Sequence, residues 1–342
     1  MFCRSIVFTK APLLKAYRYR DKFQLVPIIY AKNAPLSIYA RHFPAFLEFQ
    51  VEDCEKVNPI LEKVFKEKGL AEELIKQSRS LPEQNRIKKE IIQILSVFTN
   101  FLFFDYTSMR GYWGVMTPYQ DFDKIDENTA SIYNNQTSGW FVNAYVYPGL
   151  KEDLAIDKLT ECSDYYEAVD EPMAYFTVNP NIENNPEIKI PPYLDFIIDR
   201  YYSLDKEIRI KVRQIIGLLY DGIELFDIKR SVSLLSIISS IEGIALIDYQ
   251  MYGKTPNLGA KNRVLRYLKR YVAGKSGDKF VDFYAKRCDI THEGSLFLGD
   301  VDSFGDVEKQ NKDWLFRMEV MQVARLALYN WMRRKLEQEV DE

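Results

Sequence analysis

Residues 230–250, RSVSLLSIISSIEGIALIDYQ, put aliphatic side chains on almost every face of a helix. A helix of that kind is stable only when other apolar surfaces surround it. The flanking sequence supplies them. PYLDFIIDRYYSL and KEIRIKVRQIIGLLYDGIELF precede it, the second amphipathic over about five turns and opened by Asp205 as a candidate N-cap. KNRVLRYLKRYV, DKFVDFYAKRCDITHEG and DVEKQNKDWLFRMEVMQVARLALYNWMRRKLEQE follow it. The apolar residues in these runs recur three and four apart, the helical period. SLFLGDVDSFGD, between the last two runs, reads as a loop, and Gly294 as a helix stop. Several helices joined by short loops predict an all-α antiparallel bundle over residues 191–342, with the 230–250 run at its centre.

Residues 1–190 read differently, and the expected fold class of the whole chain is α+β. SIVF, FQLVPIIYA, PLSIYA and FLEFQV are short apolar runs broken by Pro and Asn, which predicts mixed strands and loops. Residues 53–104 switch to helical spacing. Pro82 and Glu83 suit a first turn, and Ile87, Ile91, Ile94, Leu95 and Phe98 form one stripe. SGWFVNAYVYPG alternates as a strand does. The domain boundary is placed at about 190, where NPNIENNPEIKIPP concentrates Pro and polar residues. The expected organisation is therefore a mixed N-terminal domain, 1–190, and a helical domain, 191–342.

Composition narrows the function classes. The chain has 342 residues, with 47% apolar side chains and 46 basic against 49 acidic groups. That excludes disordered and collagen-like classes and gives no global charge signal for nucleic acid or membrane. Cys3, Cys54, Cys162 and Cys288 form no Cys-x-x-Cys pair and read as free thiols. With only His42 and His292, a His-rich metal centre is not available, and no cofactor is expected. The uncharged run IIQILSVFTNFLFF has 14 residues, short of the ~20 that cross a bilayer. No membrane partner is expected, and the expected location is the cytoplasm.

One short stretch carries chemistry: Tyr284-Ala285-Lys286-Arg287-Cys288-Asp289-Ile290-Thr291-His292-Glu293-Gly294. It sets an Arg and a His five positions apart near the end of a helix. Five residues on a straight helix separate two side chains by about 140° and ~7.5 Å. For both to reach one phosphate, Arg287 has to reach round, the helix has to end between them, or a second subunit has to contribute.

In its context this stretch resembles the HEPN superfamily, whose members carry Arg, four to six residues, then His at the same point of a helical bundle. It is most similar to the ApeA-like group, where Tyr-x-x-Arg and a following His lie on a helix preceded by one with an apolar-Glu-apolar core. Tyr284, Arg287 and His292 match that pattern, and Ile241-Glu242-Gly243-Ile244-Ala245-Leu246 resembles the earlier helix. The likeness spans about 193–342 and is concentrated in some ten residues. Cys288, where the group has a polar residue, and Glu293, between His and Gly, depart from it.

The resemblance implies metal-independent RNA cleavage by attack of the ribose 2′-OH on the adjacent phosphorus, in a toxin-like or antiviral defence effector. His292 would be the acid and base, since His titrates nearest neutral pH, and a helix C-terminus favours its protonated ring. Arg287 would stabilise the phosphate with its permanent charge and forked donors. Glu242 would pair with Arg287 or meet water at the helix edge. Tyr284, Cys288 and Asp289 would be supporting residues, Asp289 either orienting the imidazole or solvated. The resemblance also implies a homodimer through the helical domain, with two motifs facing one cleft. The alternative is a non-catalytic HEPN module that dimerises or binds RNA or nucleotides.

Residues 249–277 hold seven basic side chains and no acid. Lys261, Arg263, Arg266, Lys269 and Arg270 cluster on one short helix with Tyr267 and Tyr271 between them. They read either as a phosphate-backbone track for RNA or as a solvated face. His42 reads as structural. Trp113, Trp140 and the Tyr-rich segment 106–147 read as core or as a base-stacking platform. The first 190 residues carry no motif of their own and are expected to serve as a sensor or regulatory domain.

Overall fold

The computed structural model describes residues 1–28, 43–51, 63–64, 66–69, 72–105, 112–115, 142–145, 155–167, 176, 178–181, 187–253, 257–272, 279–302 and 304–334. His42, Cys54 and Trp140 lie outside the described residues, and so does the side chain of Trp113. The chain forms two compact units. The first comprises Met1–Ile92, Phe103–Val169 and Ile182–Ile190, and the second Gln93–Leu102, Asp170–Asn181 and Pro191–Glu342.

The first unit holds a five-stranded sheet. Its strands are β1 (Phe2–Thr9), β2 (Tyr17–Tyr19), β3 (Phe23–Pro27), β4 (Phe43–Gln50) and β5 (Phe103–Phe104), in the order β2-β3-β4-β1-β5 and antiparallel throughout. A separate parallel pair joins β6 (Tyr112–Val115) to β7 (Val142–Tyr145). Phe8, Phe23, Leu25, Leu47, Phe49 and Phe104 are buried. Each such side chain contributes roughly 1.5–3 kcal/mol when fully removed from water.

The register sets three polar residues side by side, with Arg4 opposite Glu48 and Gln24 opposite Glu48. The fully buried Glu48 carboxylate accepts from Arg4 Nη2 at 2.7 Å, Gln24 Nε2 at 2.6 Å, and the Thr160 amide and hydroxyl at 2.8 and 2.6 Å. Burial alone would raise its pKa. The bonds from Thr160, Arg4 and Gln24 outweigh that and hold it below the ordinary carboxylate value. This row fastens the segment around Thr160 to the sheet.

Helix α1 (Glu72–Phe98) begins ten residues before Pro82, so that proline lies inside the helix and not at its first turn. Its ring removes one backbone bond from the ladder, which the remaining turns tolerate. Ile91, Ile94, Leu95 and Phe98 are buried, as the stripe predicts.

The second unit is helical: α2 (Leu194–Ser203), α3 (Lys206–Glu224), α4 (Arg230–Tyr252), α5 (Ala260–Tyr271), α6 (Lys279–His292), the short α7 (Leu298–Val301) and α8 (Val307–Arg333). The fold is α+β, with the sheet N-terminal and most helices C-terminal. The central helix α4 packs against α3, α5, α6, α7 and α8. It runs antiparallel to α3, because Gly222 meets Ile237 and Gly243 meets Ile215. Leu234, Ile237, Ile238, Ile241, Ile244 and Ile247 of α4 are buried, with Met321, Leu328 and Trp331 of α8. Of its most apolar window, long enough to cross a bilayer by length and composition, 61% is buried within the protein. The predicted 295–306 loop contains α7.

Segments 93–102 and 170–181 belong to the helical unit, and one of the residues that hold them there is Arg325, fully buried in α8. Its guanidinium donates to the carbonyls of Val97 at 3.0 Å, Val178 at 3.2 Å, and Thr99, and lies 4.7 Å from the Phe176 ring centroid. A buried cation thus satisfies carbonyls at the C-terminal end of α1, where the helix dipole is negative.

Candidate active site

Helix α6 is held by Phe280, Phe283 and Ile290, all buried, with the Phe283 ring edge-on to Phe316 at 5.6 Å. It ends at His292. Gly294 takes a φ of 66°, and the amides of Glu293 and Ser295 both donate to the Asp289 carbonyl at 3.1 Å. This left-handed turn is open to glycine at little cost and closes the helix end.

The helix runs unbroken through Arg287 and His292, so their side chains leave it about 140° apart. Arg287 turns toward α4. Its Nε lies 3.6 Å from Glu242 Oε1, with both side chains about a quarter exposed, and its guanidinium carbon lies 5.9 Å from the Tyr284 ring centroid. Of the two fates open to Glu242, pairing is the one observed. The pair is longer than a hydrogen bond and partly exposed, so it contributes at most about 1 kcal/mol. The Arg287 guanidinium makes no hydrogen bond among the described residues, which leaves its N–H groups available to a phosphate.

His292 is exposed at the end of the helix. Among the described residues its ring has no hydrogen-bond or ion-pair partner. Cys288 is half-buried and a free thiol, as is Cys162, while Cys3 is a free thiol that is fully buried. Asp289 contributes its carbonyl to the helix stop, and its carboxylate has no ion-pair partner among the described residues. Tyr284, Arg287 and Glu242 therefore form one cluster, and His292 stands apart from it at the helix end.

The basic helix α5 divides into two faces. Val264, Tyr267, Leu268 and Tyr271 are buried, so both tyrosines are core residues and not a stacking surface. Arg270 Nη1 lies 3.3 Å from the buried carboxylate of Asp248, and Arg263 donates to the Leu258 carbonyl at 2.7 Å. Lys261 and Lys269 are exposed and Arg266 half-exposed, with no ion pair among the described residues. These three cations face solvent.

Sequence reasoning missed two arrangements. Asp248 accepts from the Tyr271 hydroxyl at 2.7 Å. Arg334 Nη1 lies 4.0 Å from it and donates to that hydroxyl at 3.1 Å, so α4, α5 and the end of α8 share one buried polar knot. Burial, then donation to Asp248, holds the Tyr271 phenol well above its ordinary pKa. The visible signal was an Asp in an otherwise apolar helix. The second is Arg317, which is buried, donates to the Phe226 carbonyl and lies 4.2 Å from the Phe226 ring centroid. Burial lowers its pKa to about 10. Its position lies on the buried stripe that Met321, Ala324, Leu328 and Trp331 continue, but its residue type hid it, since Arg is ordinarily a surface side chain.

Comparison with family models, with curated proteins and with solved structures gives no match to this chain.

Proposed function

We propose that the helical unit is a metal-independent endoribonuclease of HEPN type, a toxin-like or antiviral defence effector of the cytoplasm. The observation that carries this reading is Arg287: a guanidinium aimed by Glu242 and Tyr284, with N–H donors free among the described residues, on the same helix as a solvent-open His292. The ribose 2′-OH gives up its proton to a base and attacks phosphorus. The bond from phosphorus to the 5′-oxygen breaks, and that oxygen takes a proton from an acid. The products are a 2′,3′-cyclic phosphate and a 5′-hydroxyl. His292 serves the proton transfers, and Arg287 stabilises charge on the phosphorus oxygens. The angle between them is bridged by a homodimer in which Arg287 of one copy and His292 of the other face one strand of RNA. Lys261, Arg266 and Lys269 hold its phosphate backbone, while Arg263 and Arg270 position the helix that carries them. Residues 1–190 act as the sensor.

The test is cleavage of RNA by the full chain in chelator. Wild type is expected to cut, and His292→Ala and Arg287→Ala to lose about 10²–10⁴ of the rate while keeping the wild-type melting temperature. Mixing the two inactive variants should restore part of the activity, because a mixed dimer keeps one site with both groups intact. Full activity in both single variants, or loss of wild-type activity in chelator, sinks the assignment.

A second reading, a non-catalytic HEPN scaffold that binds RNA or nucleotides, is favoured by the divergence of Arg287 and His292 on one unbroken helix. It predicts RNA binding that His292→Ala leaves unchanged and no turnover.

A further inference from the structure

The polar knot shared by α4, α5 and the end of α8 sets two cations against one anion. Asp248, 4% exposed, is the one carboxylate that Arg270 or Arg334 meets among the described residues. Arg270 Nη1 lies 3.3 Å from its Oδ2, and Arg334 Nη1 lies 4.0 Å from its Oδ1. Oδ1 already accepts from the Tyr271 hydroxyl at 2.7 Å, and that hydroxyl accepts from Arg334 Nη1 at 3.1 Å. One positive charge is left over. It sits on side chains 25% and 20% exposed, reachable from solvent yet only partly screened by it.

Each guanidinium is tied down by Nη1 alone. The opposite edge of each, Nε with Nη2, makes no hydrogen bond among the described residues. That edge is a fork with which arginine grips two oxygens at once. The Arg334 guanidinium lies over the Tyr252 ring, 4.3 Å from its centroid, so the ring supports its face and leaves that edge open. Asn330 Nδ2 donates to the Tyr271 carbonyl at 2.7 Å and pins α8 to α5 one turn before Arg334.

We infer that the Arg270–Arg334 pair is a receptor for a phosphate monoester, the terminal phosphate of a nucleotide or of a nucleic-acid strand. Two forks that share one oxygen take up three. A monoester presents three oxygens and a charge of about −1.5 to −2 at neutral pH. A diester within a strand presents two oxygens and one charge, which the exposed cations of α5 suit. Arg270 holds Asp248 through Nη1 and receives the phosphate through Nε and Nη2, so one side chain fastens the helix and binds the ligand. The pair shares no residue with Arg287, Glu242 and His292, and the inference does not rest on cleavage.

The test is titration calorimetry of the full chain, at fixed ionic strength, with two pairs of ligands that cannot be cut. One pair is a short 2′-O-methyl oligonucleotide bearing a 5′-phosphate or a 5′-hydroxyl. The other is adenosine monophosphate and adenosine. The phosphate is expected to strengthen binding about tenfold or more in at least one pair. A preference in the second pair names a free nucleotide as the source, and one in the first pair alone names a strand end. Arg270→Lys and Arg334→Lys keep the charge and lose the fork, so each is expected to remove most of the preference with unchanged circular dichroism. Lys261→Gln, on the exposed face of α5, should weaken both oligonucleotides alike and leave their ratio unchanged. Inorganic phosphate should compete with the preferred ligand where chloride at the same ionic strength does not, a readout that needs no variant. No preference in either pair, a preference that survives both lysine variants or falls equally with Lys261→Gln, or no competition by phosphate overturns the inference. Since no arm involves cleavage, its failure leaves the nuclease reading standing, and failure of that reading leaves this site standing.

Discussion

Glu242 aims Arg287, and its removal separates positioning from fold. The pair is partly exposed, so Glu242→Gln is expected to leave the melting temperature almost unchanged while lowering RNA cleavage several-fold, read as kcat and KM side by side. Asp248 is the opposite case. It is buried beneath Tyr271, Arg270 and Arg334, and Asp248→Asn leaves those cations without their anion. A loss of about 3–5 kcal/mol in urea unfolding is expected, against ~1 kcal/mol for Tyr271→Phe, which removes one hydrogen bond. The two acids belong to one apolar helix and look alike in sequence. Their difference is which neighbours reach them, and that is set by the packing of α5, α6 and α8.

At the scale of elements, periodicity made the helices legible. α2 to α6 and α8 fall where apolar residues recur at helical spacing, and the Asp306 side chain caps α8 by accepting from the Lys309 amide at 3.1 Å. Local chemistry was less reliable: Asp205 precedes α3 without a side-chain capping bond, and Pro82 lies within α1. The sheet was legible as strands but not as an order, because pairing Arg4 with Glu48 and Glu48 with Gln24 depends on register between strands far apart in sequence. The Glu48 row gives a pH test. Its folded pKa is below the unfolded one, so its stabilisation is full above the unfolded pKa and disappears as pH falls through the folded value. The melting temperature of wild type should exceed that of Glu48→Gln by several degrees at pH 7, with the gap closing below about pH 4. A gap that does not narrow in acid would assign the effect to packing alone.

For the whole molecule, the α+β division followed from the change in period along the chain, while the composition of each unit did not. Residues 93–102 and 170–181 lie before the expected boundary at 190 and still belong to the helical unit, held in part by a buried guanidinium whose position falls on the apolar stripe of α8 but whose residue type argues for the surface. The candidate site was legible as residues, Tyr284, Arg287 and His292, but not as geometry. An uninterrupted α6 sends the Arg287 and His292 side chains apart, and Arg287 leans on Glu242 instead of reaching round. Of the three routes to a shared phosphate, a second subunit is the one the account of function requires. The most direct test of that account is the chemistry of the cut ends, read by mass spectrometry after incubating RNA with the full chain. Cyclic 2′,3′-phosphate paired with 5′-hydroxyl ends from wild type, absent with His292→Ala, is the predicted result. Ends bearing 3′-hydroxyl and 5′-phosphate, or the same products in equal yield from His292→Ala, would contradict it.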